Sequence, residues 1–146
     1  MLTTLEEKLH SQIPMTKLMQ LHIKSMNNEK LITTAPLDIN INDKGTAFGG
    51  SLSTMTIISA WSVCLLQTEH LGYESSMIAI IKNSQSFKAP VTKDLVCHTY
   101  LPNDKELKNL ERKLKEKGSA SIKIKAEIIE DEKVCVDFEG IYVIKI

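Results

Sequence analysis

The chain of 146 residues carries 18 Lys plus Arg against 18 Asp plus Glu, so its formal net charge is zero. With 42% hydrophobic and 25% charged residues it has the composition of an ordinary globular protein with one core, not of a disordered tail. No excess of cations is present for a phosphate backbone, which excludes nucleic acid as a main partner.

Cys64, Cys97 and Cys135 are odd in number, widely spaced and set among apolar residues. They read as reduced, buried thiols, which points to a cytoplasmic compartment. The opening MLTTLEEKLH has acids where a signal peptide has a basic region and an apolar run, so no export is expected.

In chain order, Leu5 and Leu9 predict an amphipathic helix from Leu2, with Thr4 as N-cap, Glu6 and Glu7 in the first turn, and an end near Pro14. A helical turn over Met15 to Met19 precedes two strands, Leu21 to Met26 and Lys30 to Ala35, joined through Asn27-Asn28. Pro36 to Phe48 is rich in Asn, Asp and Gly and reads as a structured loop that opens a long helix. From Gly49 to Thr68 there is no formal charge, and apolar residues occupy every side of the helical wheel. Such a helix must be buried all round. A membrane span is the rival reading on length. Ser51, Ser53, Thr54, Thr56, Ser59 and Ser62, the lack of basic flanks and the need to cover the strands that follow favour a core helix.

Met77 to Ile81 is apolar without a break, as expected of a strand covered on both faces, one of them at a subunit interface. Phe87 to Pro90 leads to a strand over Leu95 to Leu101. Asn103 then caps a peripheral helix with Leu107, Leu110 and Leu114 on one face, Asp104/Lys108 and Glu111/Lys115 as i,i+4 pairs, and Gly118 at its end. Ile122, Ile124, Ala126 and Ile128 alternate with polar residues, and Val134, Val136, Phe138 and Tyr142 repeat the alternation after a turn at Glu130 to Lys133. The chain therefore ends in a long antiparallel hairpin.

A helix from Phe48 to Leu71 is ~36 Å long, and a twelve-residue strand is ~40 Å. An α+β fold results in which a curved antiparallel sheet wraps around the central helix and a second subunit completes the cover, the hotdog arrangement. Residues 1–146 form one domain in this reading.

The string Asn40-Ile41-Asn42-Asp43-Lys44-Gly45-Thr46-Ala47-Phe48-Gly49-Gly50-Ser51-Leu52, followed by Trp61, resembles the thioesterase domain at the C-terminus of certain bacterial acetyltransferase-like proteins. Ile13-Pro14, Ala35-Pro36-Leu37, Ala89-Pro90-Val91 and Phe138-Glu139-Gly140 with Tyr142 extend the resemblance over nearly the whole chain. It implies a hotdog fold, a homodimer or dimer of dimers, and hydrolysis of acyl-CoA or acyl-carrier-protein thioesters at a subunit interface. No cofactor, metal or membrane is implied. In fused relatives an acetyltransferase domain comes first, whereas here Met1 stands just ahead of the first helix, so the thioesterase-like unit alone is expected. Two departures stand out. Relatives carry an Asp and a His on the strand before Ala-Pro-Val, where this chain reads Ile81-Lys82-Asn83-Ser84-Gln85-Ser86-Phe87. Many hotdog thioesterases also place an acid on the central helix soon after Gly-Gly, where this chain offers Ser53, Thr54 and Thr56.

Thioester hydrolysis needs donors for the developing oxyanion and a group that directs water or attacks directly. The backbone N–H groups of Gly49 and Gly50, at the positive end of the helix, are the candidate donors, against the alternative that both glycines serve tight helix–sheet packing. Asp43 is the only carboxylate of the motif loop and the candidate base or nucleophile, with an exposed turn residue as the alternative. Asn40 and Asn42 are placed to orient water or the carbonyl, or to satisfy their own loop. Thr46 of the same loop and Phe48 are expected to bind substrate, Ser53 and Thr56 contact the substrate or back-bond to the helix, and Phe48, Met55 and Trp61 set the depth of an acyl tunnel. His10, His22, His70 and His98 do not cluster, which argues against a metal site and against a dehydratase. Cys64 reads as an inert core thiol, and the lysines of the peripheral helix as a solvated face, with Lys82, Lys88 and Lys93 better placed for a phosphate. A non-catalytic acyl-binding or scaffold protein is the competing function.

Overall fold

The structure, a computed structural model, describes residues 2–146; Met1 lies outside the described residues. The elements in order are α1 (Leu2–Gln12), α2 (Pro14–Leu18), β1 (His22–Met26), β2 (Lys30–Ala35), α3 (Gly49–His70), β3 (Met77–Phe87), β4 (Leu95–Tyr100), α4 (Asp104–Lys117), β5 (Ser119–Glu130) and β6 (Lys133–Lys145). The six strands form one antiparallel sheet in the order β1-β2-β4-β5-β6-β3.

The alternation in the last third builds the floor of the core. Strands β5 and β6 pair from Ser119↔Lys145 to Glu130↔Lys133, and Asp131 and Glu132 make the turn with φ of 50° and 65°, the left-handed conformation that matches strand twist. Ile122, Ile124, Ala126, Ile128, Val136, Phe138, Tyr142 and Ile144 are consequently buried together, while Lys123 and Lys125 pair with Glu139 on the wet face.

Helix α3 lies on this floor. Leu52, Met55, Ala60, Val63, Cys64, Leu65 and Leu66 are buried, and so are Thr56, Ser59, Ser62 and Thr68. Burying hydroxyls requires partners. Thr56 and Ser62 donate to carbonyls of the preceding turn, Thr68 to the Cys64 carbonyl, and Ser59 meets Thr33 of β2 at 2.7 Å. The Tyr142 hydroxyl donates to the Ile57 carbonyl at 2.6 Å and the Trp61 indole to the Ile78 carbonyl at 3.1 Å, so β6 and β3 are both fastened to the helix. Helix α1 is tied beside β1: Glu6 accepts from the Ile23 amide at 2.7 Å, and His10 donates to the Leu21 carbonyl at 2.7 Å. A central helix against a curved antiparallel sheet is the hotdog fold. By length and composition α3 is the one helix among the described residues that could cross a bilayer, but more than half of its most apolar stretch is buried in the protein.

Several local expectations change. Helix α1 begins at Leu2, so Thr4 lies inside its first turn and does not cap it. Helix α2 begins on Pro14, whose fixed φ suits a first helical position. Strand β3 runs eleven residues, not five, and lies at the sheet edge, where Met77 and Ile81 are 57% and 61% exposed. An unbroken apolar run signals burial, yet within one protomer this strand has a neighbour on one side only. On α4, the capping box of Asn103 with Glu106 and the left-handed Gly118 form as expected, but neither expected ion pair does; Arg112 pairs with Glu116 instead, at 3.3 Å.

Gly140 tests the packing of the floor. A Cβ there would lie 2.6 Å from the Phe138 ring and 2.9 Å from the Tyr142 ring, and both rings are fully buried. Gly140→Ala is expected to destabilise the fold by about 1–3 kcal/mol through overpacking, read as a lowered midpoint in urea with an unchanged slope; an unchanged midpoint would contradict this packing.

Candidate active site

The loop between β2 and α3 is a built object. Asn40 is 2% exposed, and its Nδ2 donates to the carbonyls of Met19 and Pro36 at 2.9 and 2.8 Å, while its main-chain carbonyl accepts from the Phe48 amide at 2.7 Å. Ile41 and Ala47 form a bridge that closes the turn Asn42 to Thr46, where Gly45 takes φ 82°. Asn42 Oδ1 accepts from the amides of Lys44 and Thr46, and its Nδ2 donates to the Thr46 hydroxyl at 2.8 Å. The Ala47 amide donates to the Val91 carbonyl at 2.8 Å, which is the physical link between the loop and the Ala89-Pro90-Val91 segment.

These bonds decide what the loop offers a ligand. The side-chain amides of Asn40 and Asn42 and the Thr46 hydroxyl are engaged within the loop, which makes them its scaffold. Asp43 sits at the tip of the turn with a side chain 82% exposed and pairs with Lys44 at 3.0 Å. Among the described residues no hydrogen bond joins the Asp43 carboxylate to the amides of α3.

The start of α3 is different. Its N-cap residue Phe48 provides no side-chain cap, so the first amides of a 22-residue helix lack a side-chain acceptor. Gly49 and Gly50 are both exposed, so neither packs against the sheet within this protomer. A Cβ on Gly50 would strike the Phe48 ring at 2.3 Å, so that glycine accommodates Phe48, itself 54% exposed. Gly49 has nothing within 4 Å of a Cβ, and its φ is not in the left-handed region. Neither conformation nor packing within the protomer calls for glycine at 49.

One turn further, the sheet edge meets the helix. Ser53 Oγ donates to Gln85 Oε1 of β3 at 3.4 Å, Thr56 Oγ1 lies 3.3 Å from the same oxygen with its proton closer to the Ser53 carbonyl at 2.9 Å, and Gln85 Nε2 donates to Asn83 Oδ1 at 3.2 Å. The cluster contains hydroxyls and carboxamides and no formal charge. Ser53 and Thr56 were legible in the sequence, although Thr56 also back-bonds to Ser53. Gln85 and Asn83 were not singled out, since their meeting with α3 depends on the register of β3 and on the bulge between Ile80 and Lys82. Of the residues expected to set tunnel depth, Phe48 faces outward, Met55 is fully buried in the core and Trp61 is half-buried.

The remaining candidates fall outside this region. Burial pushes the Cys64 thiol up to about 12 and the Cys97 thiol up to about 11, so both stay protonated and unreactive. All three cysteines are free and buried. His98 lies on β4, where burial and the nearby Lys30 hold its pKa down. Lys88 pairs with Asp137 at 3.7 Å and Lys93 with Asp131 at 2.8 Å, which leaves Lys82 as the member of that trio with no ion-pair partner among the described residues.

Comparison with known proteins fits this geometry. Residues 2–146 match the model of a family described as "Putative thioesterase (yiiD_Cterm)". A Chlorobaculum tepidum protein of unknown function is 32% identical, with a TM-score of 0.92 over 98% of this chain and 93% of its own. A Shewanella oneidensis protein described as a "putative thioesterase" is 30% identical, with a TM-score of 0.87 over 97% of this chain and 95% of its own. A Haemophilus influenzae thioesterase, 12% identical with a TM-score of 0.74 over 99% of this chain and 90% of its own, shares the fold.

Proposed function

We propose a specific activity for a chain that belongs to the thioesterase family matched over residues 2–146, and for which thioester hydrolysis in general is the supported chemistry: it hydrolyses acyl-CoA or acyl-carrier-protein thioesters at the start of α3. The observation that carries the reading is Gly49, an exposed glycine on an uncapped helix N-terminus with open space at its Cβ. The N–H groups of Gly49 and Gly50 would receive the carbonyl oxygen as it becomes an oxyanion, each such donor being worth about 3 kcal/mol in a transition state. Water adds to the carbonyl carbon, the C–S bond breaks, and the thiol leaves with a proton.

A second copy of the chain completes the site in this reading. Strand β3 ends the sheet with one row of backbone groups unpaired, and Met77, Ile81 and Phe87 are exposed along it, an arrangement suited to pairing with the same strand of a partner. Sedimentation equilibrium should return twice 16.4 kDa at micromolar concentration, and a monomer would contradict the shared site. The free, buried cysteines support a reducing, cytoplasmic compartment.

Two observations favour the competing function, a non-catalytic acyl-binding protein: α3 has no acid before Glu69, and Asp43 faces solvent. Free-thiol release from short, medium and long acyl-CoAs and acyl carrier proteins decides between them, with Gly49→Ala as the informative variant. Alanine is a good helix former with free space here, so the melting temperature should not fall; it keeps the N–H, but its methyl group crowds the carbonyl's approach to the amides, so kcat/KM should fall tenfold or more. No turnover by the natural sequence, or full turnover by Gly49→Ala, would overturn the reading. Asp43→Asn in the same assay reports the base; its exposed position predicts less than the ~100-fold loss of an acid–base group.

A further inference from the structure

At the opposite end of α3 from Gly49, ~30 Å along the helix axis, a cavity of about 590 Å³ opens between the last turns of α3, the β1–β2 turn and the start of α4. That size falls within the roughly 300–1,000 Å³ of small-molecule sites. Its walls are apolar: Leu66, only 7% exposed, together with Met26, Leu101 and Leu107, which are half-buried. Its rim carries charge of one sign. Glu69 and Asp104 line the cavity, both exposed, and no Lys or Arg does. Neither carboxylate has an ion-pair partner among the described residues. Lys108 stands one turn from Asp104 on α4, at the spacing that favours pairing, yet the two do not pair and Lys108 does not line the cavity.

The helix ends act in the same direction. The cavity lies at the C-terminal, negative end of the 22-residue α3, while the positive start of α4 is closed by the capping box of Asn103 with Glu106. Apolar walls beside two uncompensated carboxylates call for one kind of occupant. A hydrocarbon body laid on Leu66, Leu101 and Leu107 releases the water held against them. A cationic end at Glu69 and Asp104 gains two attractions, whereas a carboxylate or a phosphate there meets two like charges.

We propose that this cavity is a second ligand site, and that it takes an amphiphilic organic cation, an alkylammonium with its apolar body on Leu66, Leu101 and Leu107 and its ammonium group at Glu69 and Asp104. The inference does not depend on hydrolysis at the other end of the helix. It assigns the two ends of α3 to ligands of opposite charge, since the phosphates that accompany an acyl thioester are repelled here.

The test titrates octylamine, cationic at about pH 7, into the isotope-labelled full chain and follows the backbone amide shifts by NMR. Octanol, octanoate and tetramethylammonium serve as the neutral, the anionic and the body-less comparisons. Saturable shifts are expected over Leu66 to His70 and Leu101 to Leu107, with octylamine bound about tenfold more tightly than octanol, the scale of two exposed ion pairs together. Octanoate and tetramethylammonium should bind more weakly than octanol. Glu69→Gln combined with Asp104→Asn should bring octylamine to within about twofold of octanol; both residues are exposed, and unchanged octanol binding in that variant shows that the apolar walls are intact. Octanoate binding as tightly as octylamine overturns the selection by charge. A preference for octylamine that survives the double substitution overturns the assignment to Glu69 and Asp104. Shifts that do not saturate, or that map to other residues, overturn the site itself.

Discussion

Everything in this molecule follows from having to bury a helix with no charge between Gly49 and Gln67 while leaving its first turn open. Water cannot solvate the apolar sides of α3, so sheet strands and α1 surround it. Its serines and threonines survive burial because each finds an acceptor in the preceding turn or on the sheet, as Ser59 does with Thr33. Two hydrogen bonds then fix the helix along its axis, one from the Tyr142 hydroxyl to the Ile57 carbonyl and one from the Trp61 indole to the Ile78 carbonyl of β3. The register between α3 and the edge strand, on which the candidate site depends, is thereby set by the core.

The site inherits its character from that arrangement. A helix whose body is locked presents its N-terminal amides at a fixed position, and preorganised donors of this kind need no reorganisation when charge develops. The loop contributes rigidity: Asn40, buried under α2, and Asn42, closing the turn, hold the chain that delivers Phe48 and Gly49. One turn into the helix, Gln85 of β3 meets Ser53 and Thr56 and holds Asn83, so this contact between helix and edge strand is polar yet uncharged. In the proposed reading, hydrolysis at these amides leans on carbonyl polarisation more than on a strongly basic side chain within one protomer.

How far the sequence could be read depended on whether the deciding contacts were local. The uncharged helix, the β5–β6 alternation and the Asn103 cap are periodic or short-range signals, and all three are present. The motif loop was legible as a loop, but a buried scaffolding asparagine such as Asn40 and a ligand-binding one look alike in a string of letters; burial separates them. The polar half of β3 after Ile81 carried no strand signal, because an edge strand in one protomer needs no apolar face and Lys82 to Ser86 are content in water. Gln85 stayed hidden for the same reason, since its partners Ser53 and Thr56 lie about thirty residues upstream and are reached only through the bulged β3–β6 register.

The most direct test of the central claim is a crystal structure of the protein with an acyl-N-acetylcysteamine analogue in which a methylene replaces the thioester sulfur, so that the carbonyl is kept and hydrolysis is blocked. The account predicts the carbonyl oxygen within ~3.2 Å of the Gly49 or Gly50 amide nitrogen. An analogue bound instead in the cavity of about 590 Å³ at the other end of α3, among Leu66, Leu101 and Leu107, would contradict it.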